Sequence, residues 1–299
     1  MRRSTRGALG FLTAAAVAGT AVIGLLRVQS ARLRAAYDLD ARRRVPPVSR
    51  LVDPHLDHSV PLDSARAVTD VDPQETPAVA VLGDTWLAGL SVGRRRKTPG
   101  VLIARGLSTA LGSPIRLTAL AQPSARAEEV AAQVDTLLTD PAMRYARARV
   151  RSPRYAVVSM GSADVVHPVT GSIGIPVLTN ALNRLEREGG YRVIVLTCPN
   201  LGRLPGVPRP LRTFLRRSSR VLAGSQWLTA VTCGQIPLSA DEAIHGTTRP
   251  GPVSRTGRYP SPLGYQHLAS AVLRRIVEDL DLPVVTTPTD RTDRKDPAP

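Results

Sequence analysis

The sequence predicts an α/β protein, a three-layer α/β/α sandwich built on a five-stranded parallel sheet. Short apolar runs typical of buried strands alternate along the chain with stretches of helical periodicity. One such run, Ala78–Leu82, passes through Gly83 straight into a helical stretch, the strand–turn–helix unit of parallel sheets. The chain has 299 residues, of which 42% are hydrophobic, so it can enclose a core of this size.

The remaining elements follow in chain order. Further strands are predicted at Ile115–Leu120, Tyr155–Met160, Tyr191–Thr197 and Trp227–Thr232. Helices are predicted at Val101–Leu111, Ala125–Leu138, Pro176–Glu188, Leu211–Leu222 and Leu263–Leu280, where apolar residues recur at helical spacing. In open parallel sheets the functional site lies at the carboxyl ends of the strands, and candidate residues are therefore sought there.

The N-terminus carries a membrane signal. Ala8–Leu26 is an uncharged stretch between arginines, close to the ~20 residues that span a bilayer as a helix. A cleaved signal peptide is the alternative, since the small residues of 16–21 offer cleavage sites. Because the apolar run continues to Leu26, we favour an uncleaved single-pass anchor at residues 1–27, with the soluble domain outside the cytoplasm. The arginines that follow Leu26 oppose this orientation under the positive-inside rule.

The chain then divides by composition. Residues 28–76 are predicted to be a linker, basic at first and then rich in proline, whose basic part contacts membrane lipid. Residues 77–284 form the α/β domain. Residues 285–299, rich in Thr, Asp and Pro, are predicted to be a disordered tail.

The net charge of +16 rests on arginine, because Lys97 and Lys295 are the only lysines. Aromatic residues make up only 3% and no basic stripe is interleaved with them, so no nucleic-acid partner is expected. The arginines of 94–96 and 203–220 either form a basic rim for an anionic ligand or are solvated.

Cys198 and Cys233 make no metal or redox motif, and we expect neither a metal nor a cofactor. We expect two free thiols, or a disulfide between them if the domain is extracellular.

Over about residues 78–280 the chain carries short motifs in a fixed order, among them Gly83-Asp84-Thr85, Gly161-Ser162-Ala163-Asp164 and the segment 259–265. These motifs resemble blocks of the SGNH (GDSL-type) hydrolases. Gly83-Asp84-Thr85 with Gly89 resembles the first block, with Thr85 at the nucleophile. Gly161-Ser162-Ala163-Asp164 resembles the third, with Ala163 at the asparagine. The segment 259–265 resembles the last block. Ser124, Thr256 and Tyr259 then stand at the glycine of the second block and at the aspartate and histidine of the last.

The resemblance implies an SGNH hydrolase-like, flavodoxin-like domain at 77–284, of a divergent actinobacterial type, and in the family an ester hydrolase. Such an enzyme needs a nucleophile, a base with its orienting acid, and oxyanion donors. Thr85 keeps a hydroxyl, but its methyl group restricts χ1. A tyrosine, with a pKa near ~10, is a poor base at neutral pH, and Thr256 offers no carboxylate. Ala163 offers no side-chain donor.

These substitutions predict a catalytically impaired pseudoenzyme that binds an anionic or acyl ligand, or a partner, through the vestigial cleft. The alternative is an active acyl-ester hydrolase, an esterase or lipase, in which Thr85 is the nucleophile and His167 or His245 a displaced base. A third possibility, an electrostatic scaffold at the membrane surface, rests on the charge alone.

Overall fold

The structure is a computed structural model that describes residues 23–54, 60–61, 75–93, 97–140, 152–167, 174–245 and 251–282. Its strands form one sheet in the order β2-β1-β4-β3-β5-β6-β7. The strands are β1 (Val48–Val52), β2 (Val60–Pro61), β3 (Ala78–Gly83), β4 (Ile115–Ala119), β5 (Arg154–Ser159), β6 (Arg192–Leu196) and β7 (Ile236–Leu238).

The five strands from β4 to β7 along the sheet are parallel, as the alternation of elements predicted. β1 adds an antiparallel edge, because it pairs with β4 in the register Val48 to Ala119 and also with β2. The sheet is therefore mixed rather than purely parallel.

The helices are α1 (residues 23–41), α2 (Thr85–Ala88), α3 (Pro99–Leu111), α4 (Ala127–Thr139), α5 (Ser162–Val166), α6 (Ile175–Gly189), α7 (Leu211–Thr232), α8 (Ala240–His245) and α9 (Pro262–Asp279).

The central strand β3 shows why the domain has three layers. All six of its residues are buried, since successive side chains point to opposite faces and both faces are covered. Val79 and Val81 pack into one core together with α3 and α9. Ala80 and Leu82 pack into a second core with α4 and α6.

One predicted strand is wrong. Trp227–Thr232 is the last part of the long helix α7, and the fifth parallel strand is the short segment Ile236–Leu238. The β-forming residues of 227–232 are largely exposed, while the helix is held by the buried Gln226. Gln226 Oε1 accepts the Cys198 N–H at 2.6 Å, and its Nε2 donates to the Met160 carbonyl at 2.8 Å. These long-range bonds override local strand propensity.

The region predicted as a linker contains regular structure. Residues 23–41 form α1, and Val48–Val52 forms β1 directly after Pro46 and Pro47. Arg27 and Arg32 are exposed on α1, whereas Tyr37 and Asp40 of the same helix are buried against the domain. The composition of this segment gave no indication that one face of the helix is buried.

Among the residues that the structure describes, no helix is both long and apolar enough to cross a membrane. The predicted anchor Ala8–Leu26 lies outside the described residues except for its last four residues, and the predicted tail 285–299 lies wholly outside them.

Cys198 and Cys233 are free thiols. Cys233 is the C-cap of α7.

Candidate functional site

The turn at the carboxyl end of β3 requires glycine. Gly83 has φ +128, and a Cβ built there would lie 1.9 Å from the Ser159 carbonyl oxygen. Asp84 follows as the N-cap of α2, and its carboxylate accepts the Trp86 N–H at 3.1 Å. This geometry holds Thr85 at the first position of a helix, above the edge of the sheet.

Asp84 also ties the turn to the next strand. Its Oδ1 accepts the Ser159 hydroxyl at 2.6 Å, and its Oδ2 accepts the backbone N–H and the hydroxyl of Ser162. The carboxylate is almost completely buried and is fully used by these donors. Asp84 is thus a structural anchor of the site rather than a base.

Thr85 and Ser124 are in direct contact. The Ser124 N–H donates to Thr85 Oγ1 at 2.7 Å, and both residues are buried. Ser124 has φ +57, the left-handed region that favours glycine, which agrees with its predicted place at a family glycine. A backbone donor of the oxyanion type therefore points at the hydroxyl of the nucleophile position.

Ala163 lies in α5, directly after the turn that follows β5, and is completely buried. Its methyl group packs in an apolar cluster with Tyr37 and Cys198. Burial raises the pKa of the Cys198 thiol well above its ordinary value, as do the nearby carboxylates, Asp84 first, so the group is a neutral thiol. We call the space beside Thr85, Ser124 and Ala163 the cleft. Its wall at Ala163 is apolar, at the position where the resemblance to SGNH hydrolases implies an asparagine side chain.

The cleft is covered by α1, whose Tyr37 side chain is only 1% exposed. The Ser124 hydroxyl donates to the Tyr37 carbonyl at 2.9 Å, so the helix backbone sits directly above the Thr85–Ser124 pair. Burial raises the pKa of Tyr37 far above its usual value, and the negative charge of Asp84 raises it further. Tyr37 is therefore neutral, and it occupies the space beside Ala163.

Two acidic residues of α1 fasten it to the rim of the cleft. The buried Asp40 accepts from Arg258 Nε at 2.6 Å, and Asp38 Oδ1 lies 3.1 Å from His167 Nε2. Burial by itself lowers the pKa of Arg258, but the hydrogen bond and charge of Asp40 raise it on balance. Beyond the helix, Val45 exchanges two backbone hydrogen bonds with the Gln122 side chain, at 3.2 and 2.6 Å.

In the segment that resembles the last block, Arg258 contacts the helix over the cleft through Asp40. The predicted pair, Thr256 and Tyr259, makes no such contact in the described structure. Thr256 is exposed, and its hydroxyl lies 3.1 Å from that of Ser254, so it does not orient Tyr259. Tyr259 is nearly buried and its carbonyl accepts the Ser254 N–H at 2.9 Å. Tyr265, of the same block, donates its hydroxyl to the Thr85 carbonyl at 3.3 Å.

His167 has no hydrogen bond to Thr85 in the described part of the chain. His167 caps α5, with Nε2 facing Asp38 and Nδ1 3.2 Å from the Ala163 carbonyl oxygen. His245 ends α8, and its side chain lies outside the described residues. His267 Nδ1 lies 3.5 Å from the Ile244 carbonyl oxygen, on the outside of the domain. The role of replacement base stays a prediction for His167 and His245.

Sequence reasoning missed Tyr37, Asp38, Asp40 and Arg258. A signal was present, because Asp38 and Asp40 are the only acidic residues among the first 52 of a strongly basic chain. Two acidic residues just after an aromatic residue in such a segment indicate a specific contact with the domain. Across the described ranges, no group of three or more His, Cys, Asp or Glu side chains is arranged to hold a metal ion.

Comparisons with known proteins identify a related sequence and several similar folds. No family model matches the chain. The chain is 29% identical over 219 residues to a GDSL-like esterase of Mycobacterium tuberculosis, an alignment that covers 70% of this chain. It spans 66% of that relative, slightly less than two thirds of its length.

Three solved structures share the fold. The lipase/acylhydrolase of Enterococcus faecalis has a TM-score of 0.51 at 15% identity, covering 68% of this chain and 97% of that one. TesA has a TM-score of 0.52 at 16% identity, covering 69% and 99%. The psychrotrophic esterase EstA of Pseudoalteromonas sp. has a TM-score of 0.50 at 13% identity, covering 68% and 98%.

Proposed function

The chain belongs to the SGNH (GDSL-type) hydrolase family, and we propose that it is a membrane-anchored member with impaired ester hydrolysis whose cleft serves binding. The observation that supports this best is the position of α1. With Tyr37 in place, Thr85 is 1% exposed, and an ester cannot approach its hydroxyl. A nucleophile must come within about 3–3.5 Å of the carbonyl it attacks, which the covered cleft prevents.

The chemistry around Thr85 supports the same proposal. Attack requires a base that removes the hydroxyl proton, yet the contact recorded for Thr85 Oγ1 is a donor, the Ser124 N–H. Ala163 supplies no side-chain donor for an oxyanion, and loss of one such donor costs about 10²–10³ in turnover elsewhere. Thr256 and Tyr259 are not hydrogen-bonded to one another in the described structure, so these two positions do not form a base–acid pair.

The cleft instead has the composition of a binding site. Ala163, Cys198 and Leu201 form apolar walls, and Arg258 supplies a positive charge at the rim. In the closed arrangement Tyr37 fills the apolar space and Asp40 neutralises Arg258. A ligand with an apolar chain and one carboxylate would replace both contacts, so we propose an anionic acyl ligand that competes with α1.

The anchor at residues 1–27 and the extracytoplasmic placement of the domain belong to this proposal as well. The anchor rests on the uncharged stretch Ala8–Leu26, and the extracytoplasmic side rests on treating that stretch as an export-type anchor. The proposal needs no metal or other cofactor in the cleft, since binding there uses shape, apolar surface and one guanidinium group.

Assay of the full-length chain with short p-nitrophenyl acyl esters separates the pseudoenzyme from the alternative esterase. We expect trace hydrolysis that Thr85→Ala leaves unchanged, because Thr85 is covered and lacks a base. Any single restoration, such as Tyr259→His, should gain little, since triad members act as a unit. The combination of Thr85→Ser, Ala163→Asn, Thr256→Asp and Tyr259→His should gain substantially only when α1 is also released by Asp40→Asn.

The control for that combination is the same set of substitutions with Asp38→Asn in place of Asp40→Asn. A parent protein that turns over at about 1 s⁻¹ or faster and loses this rate in Thr85→Ala would establish the esterase instead. The variants His167→Ala and His245→Ala would then identify its base.

A further inference from the structure

The long helix α7 presents an apolar line to solvent. Phe214, Val221 and Leu228 are 46%, 62% and 66% exposed, far above the usual exposure of such side chains. Their spacing of seven residues corresponds to about two helical turns, so they lie in one row on the outer face. Trp227 and Val231, also exposed, widen this row towards the end of the helix. The inner face of α7 is buried against the domain.

Positive charge accompanies this row. Arg216, Arg217 and Arg220 are exposed on the outer side of α7, and the helix contains no aspartate or glutamate. Arginine stems can lie along apolar surface while their guanidinium groups reach a polar layer. An apolar row with arginines beside it is the pattern of helices that lie in the interface of an anionic membrane.

The apolar face continues onto α1. Gln29 joins the two helices, because its Oε1 accepts the Leu211 N–H at 3.3 Å and its Nε2 donates to the Arg209 carbonyl at 3.2 Å. A groove of about 230 Å³ runs between them, lined by Ile23, Leu26 and Phe214 and flanked by Arg27 and Arg34. Residue 23 is preceded in the chain by the rest of the uncharged stretch Ala8–Leu26. The exposed face therefore lies beside the segment with the strongest membrane signal.

We propose that the outer face of α7, together with the groove beside α1, rests on the surface of an anionic lipid bilayer. Phosphate headgroups complement the arginines, and the apolar row enters the boundary of the acyl chains. A second copy of the chain is the less suitable occupant. A two-fold contact through α7 would bring its arginines against those of the partner, in a protein of net charge +16.

The exposed row of α7 is separate from the cleft, since Phe214, Val221 and Leu228 face away from the buried residues of α7 that pack in the cluster with Tyr37. The groove shares Leu211 and Leu215 with that cluster. The membrane contact of the α7 row does not depend on whether the cleft binds a ligand or hydrolyses an ester, whereas the groove exists only while α1 is docked. The row adds a second membrane contact, on the folded domain, to the anchor already proposed.

The two tryptophans of the chain allow a direct test. Trp86 is 4% exposed beneath the sheet edge, whereas Trp227 is 40% exposed on the proposed surface. The full-length chain is reconstituted in vesicles of phosphatidylcholine with phosphatidylglycerol, and in phosphatidylcholine alone, each with brominated acyl chains. We expect the Trp227 emission to shift to the blue and to be quenched by the bromolipid in the anionic vesicles. The quenching should disappear in Trp227→Phe, which leaves only the buried Trp86.

Two sets of variants make the test specific. Leu228→Asp should reduce the quenching several-fold, while Leu263→Asp, at an exposed leucine on α9, should leave it unchanged. Replacing Arg216, Arg217 and Arg220 together by glutamine should reduce quenching in the anionic vesicles to the level seen with phosphatidylcholine alone. Both leucines are exposed, so neither substitution is expected to unfold the domain, and circular dichroism checks this.

Two outcomes would overturn the proposal. If Trp227 in anionic vesicles is quenched by aqueous iodide and not by bromolipid, the face of α7 points to water. If it is protected from both quenchers, and sedimentation in detergent shows a dimer that Leu228→Asp dissociates, the occupant is a second copy of the chain.

Discussion

Ser124 holds a left-handed backbone conformation that glycine adopts at lower cost, and it gains a contact that glycine lacks. Its hydroxyl donates to the Tyr37 carbonyl, while its N–H donates to Thr85. The departure from the family pattern at this position thus fastens α1 over the cleft. At the scale of single residues, the substitutions at Thr85, Ser124 and Ala163 suit a closed cleft better than an open one.

Tyr37 offers a test at the same scale. Its hydroxyl is buried with no hydrogen-bond partner in the described part of the chain, and such an unpaired group costs free energy on folding. Tyr37→Phe should therefore leave the free energy of unfolding unchanged or raise it by about 1 kcal/mol. Urea unfolding followed by circular dichroism measures this. A clear loss of stability would mean that the hydroxyl is bonded and that the ring does more than fill space.

At the scale of elements, α1 is a helix that depends on its contacts with the domain. Many of its side chains are exposed, and its inner face is held by Tyr37, Asp40 and Gln29. The Asp40–Arg258 ion pair is better protected than the Asp38–His167 contact, because Asp40 is 2% and Arg258 16% exposed whereas Asp38 is 58% exposed. Removing one member of a buried pair leaves the other without compensation.

Asp40→Asn should therefore weaken the docking of α1 by about 3 kcal/mol. Asp38→Asn is the matched control in the same helix, and it should cost less than about 1 kcal/mol because Asp38 is 58% exposed. Hydrogen exchange of the peptides that contain Tyr37 and Ser124 measures both effects. Binding of laurate, as an anionic acyl probe, should strengthen several-fold in Asp40→Asn and not in Asp38→Asn. Equal exchange in the two variants would show that this pair does not close the cleft.

At the scale of the whole molecule, the N-terminal region and the α/β domain form one folded unit. β1 supplies the antiparallel edge beside β4, and its residues Leu51 and Val52 are buried. Without β1 the edge of β4 would be unpaired, and exposed strand edges promote aggregation. The predicted boundary between linker and domain at residues 76 and 77 thus cuts through a sheet.

A chain that begins at residue 70 should accordingly be less stable than one that begins at residue 23. We expect the longer chain to unfold cooperatively and to remain monodisperse once detergent covers its apolar face, and the shorter one to aggregate. Size-exclusion chromatography with thermal unfolding compares them. A monodisperse shorter chain of equal melting temperature would show that α1 and β1 are dispensable for the fold.

Much of the fold was predictable from the sequence because its signals are local. Buried strands such as Ala78–Gly83 and Arg192–Leu196 are continuous apolar runs, and α3, α4, α6 and α9 carry clear helical periodicity. The prediction failed at Trp227–Thr232, where local strand propensity is overridden by the distant hydrogen bonds of Gln226.

The sequence by itself determined the family resemblance, four of the five parallel strands, and the placement of Thr85 and Ser124 at one cleft, since all follow from short local patterns in a fixed order. Only the tertiary structure decided what covers that pair. Asp40 and Arg258 are 218 residues apart in the chain, and Tyr37 and Ser124 are 87 apart. No periodicity or spacing links residues so distant, because their contact depends on how α1 docks once the sheet has formed. That docking is what turns an open hydrolase cleft into a closed one.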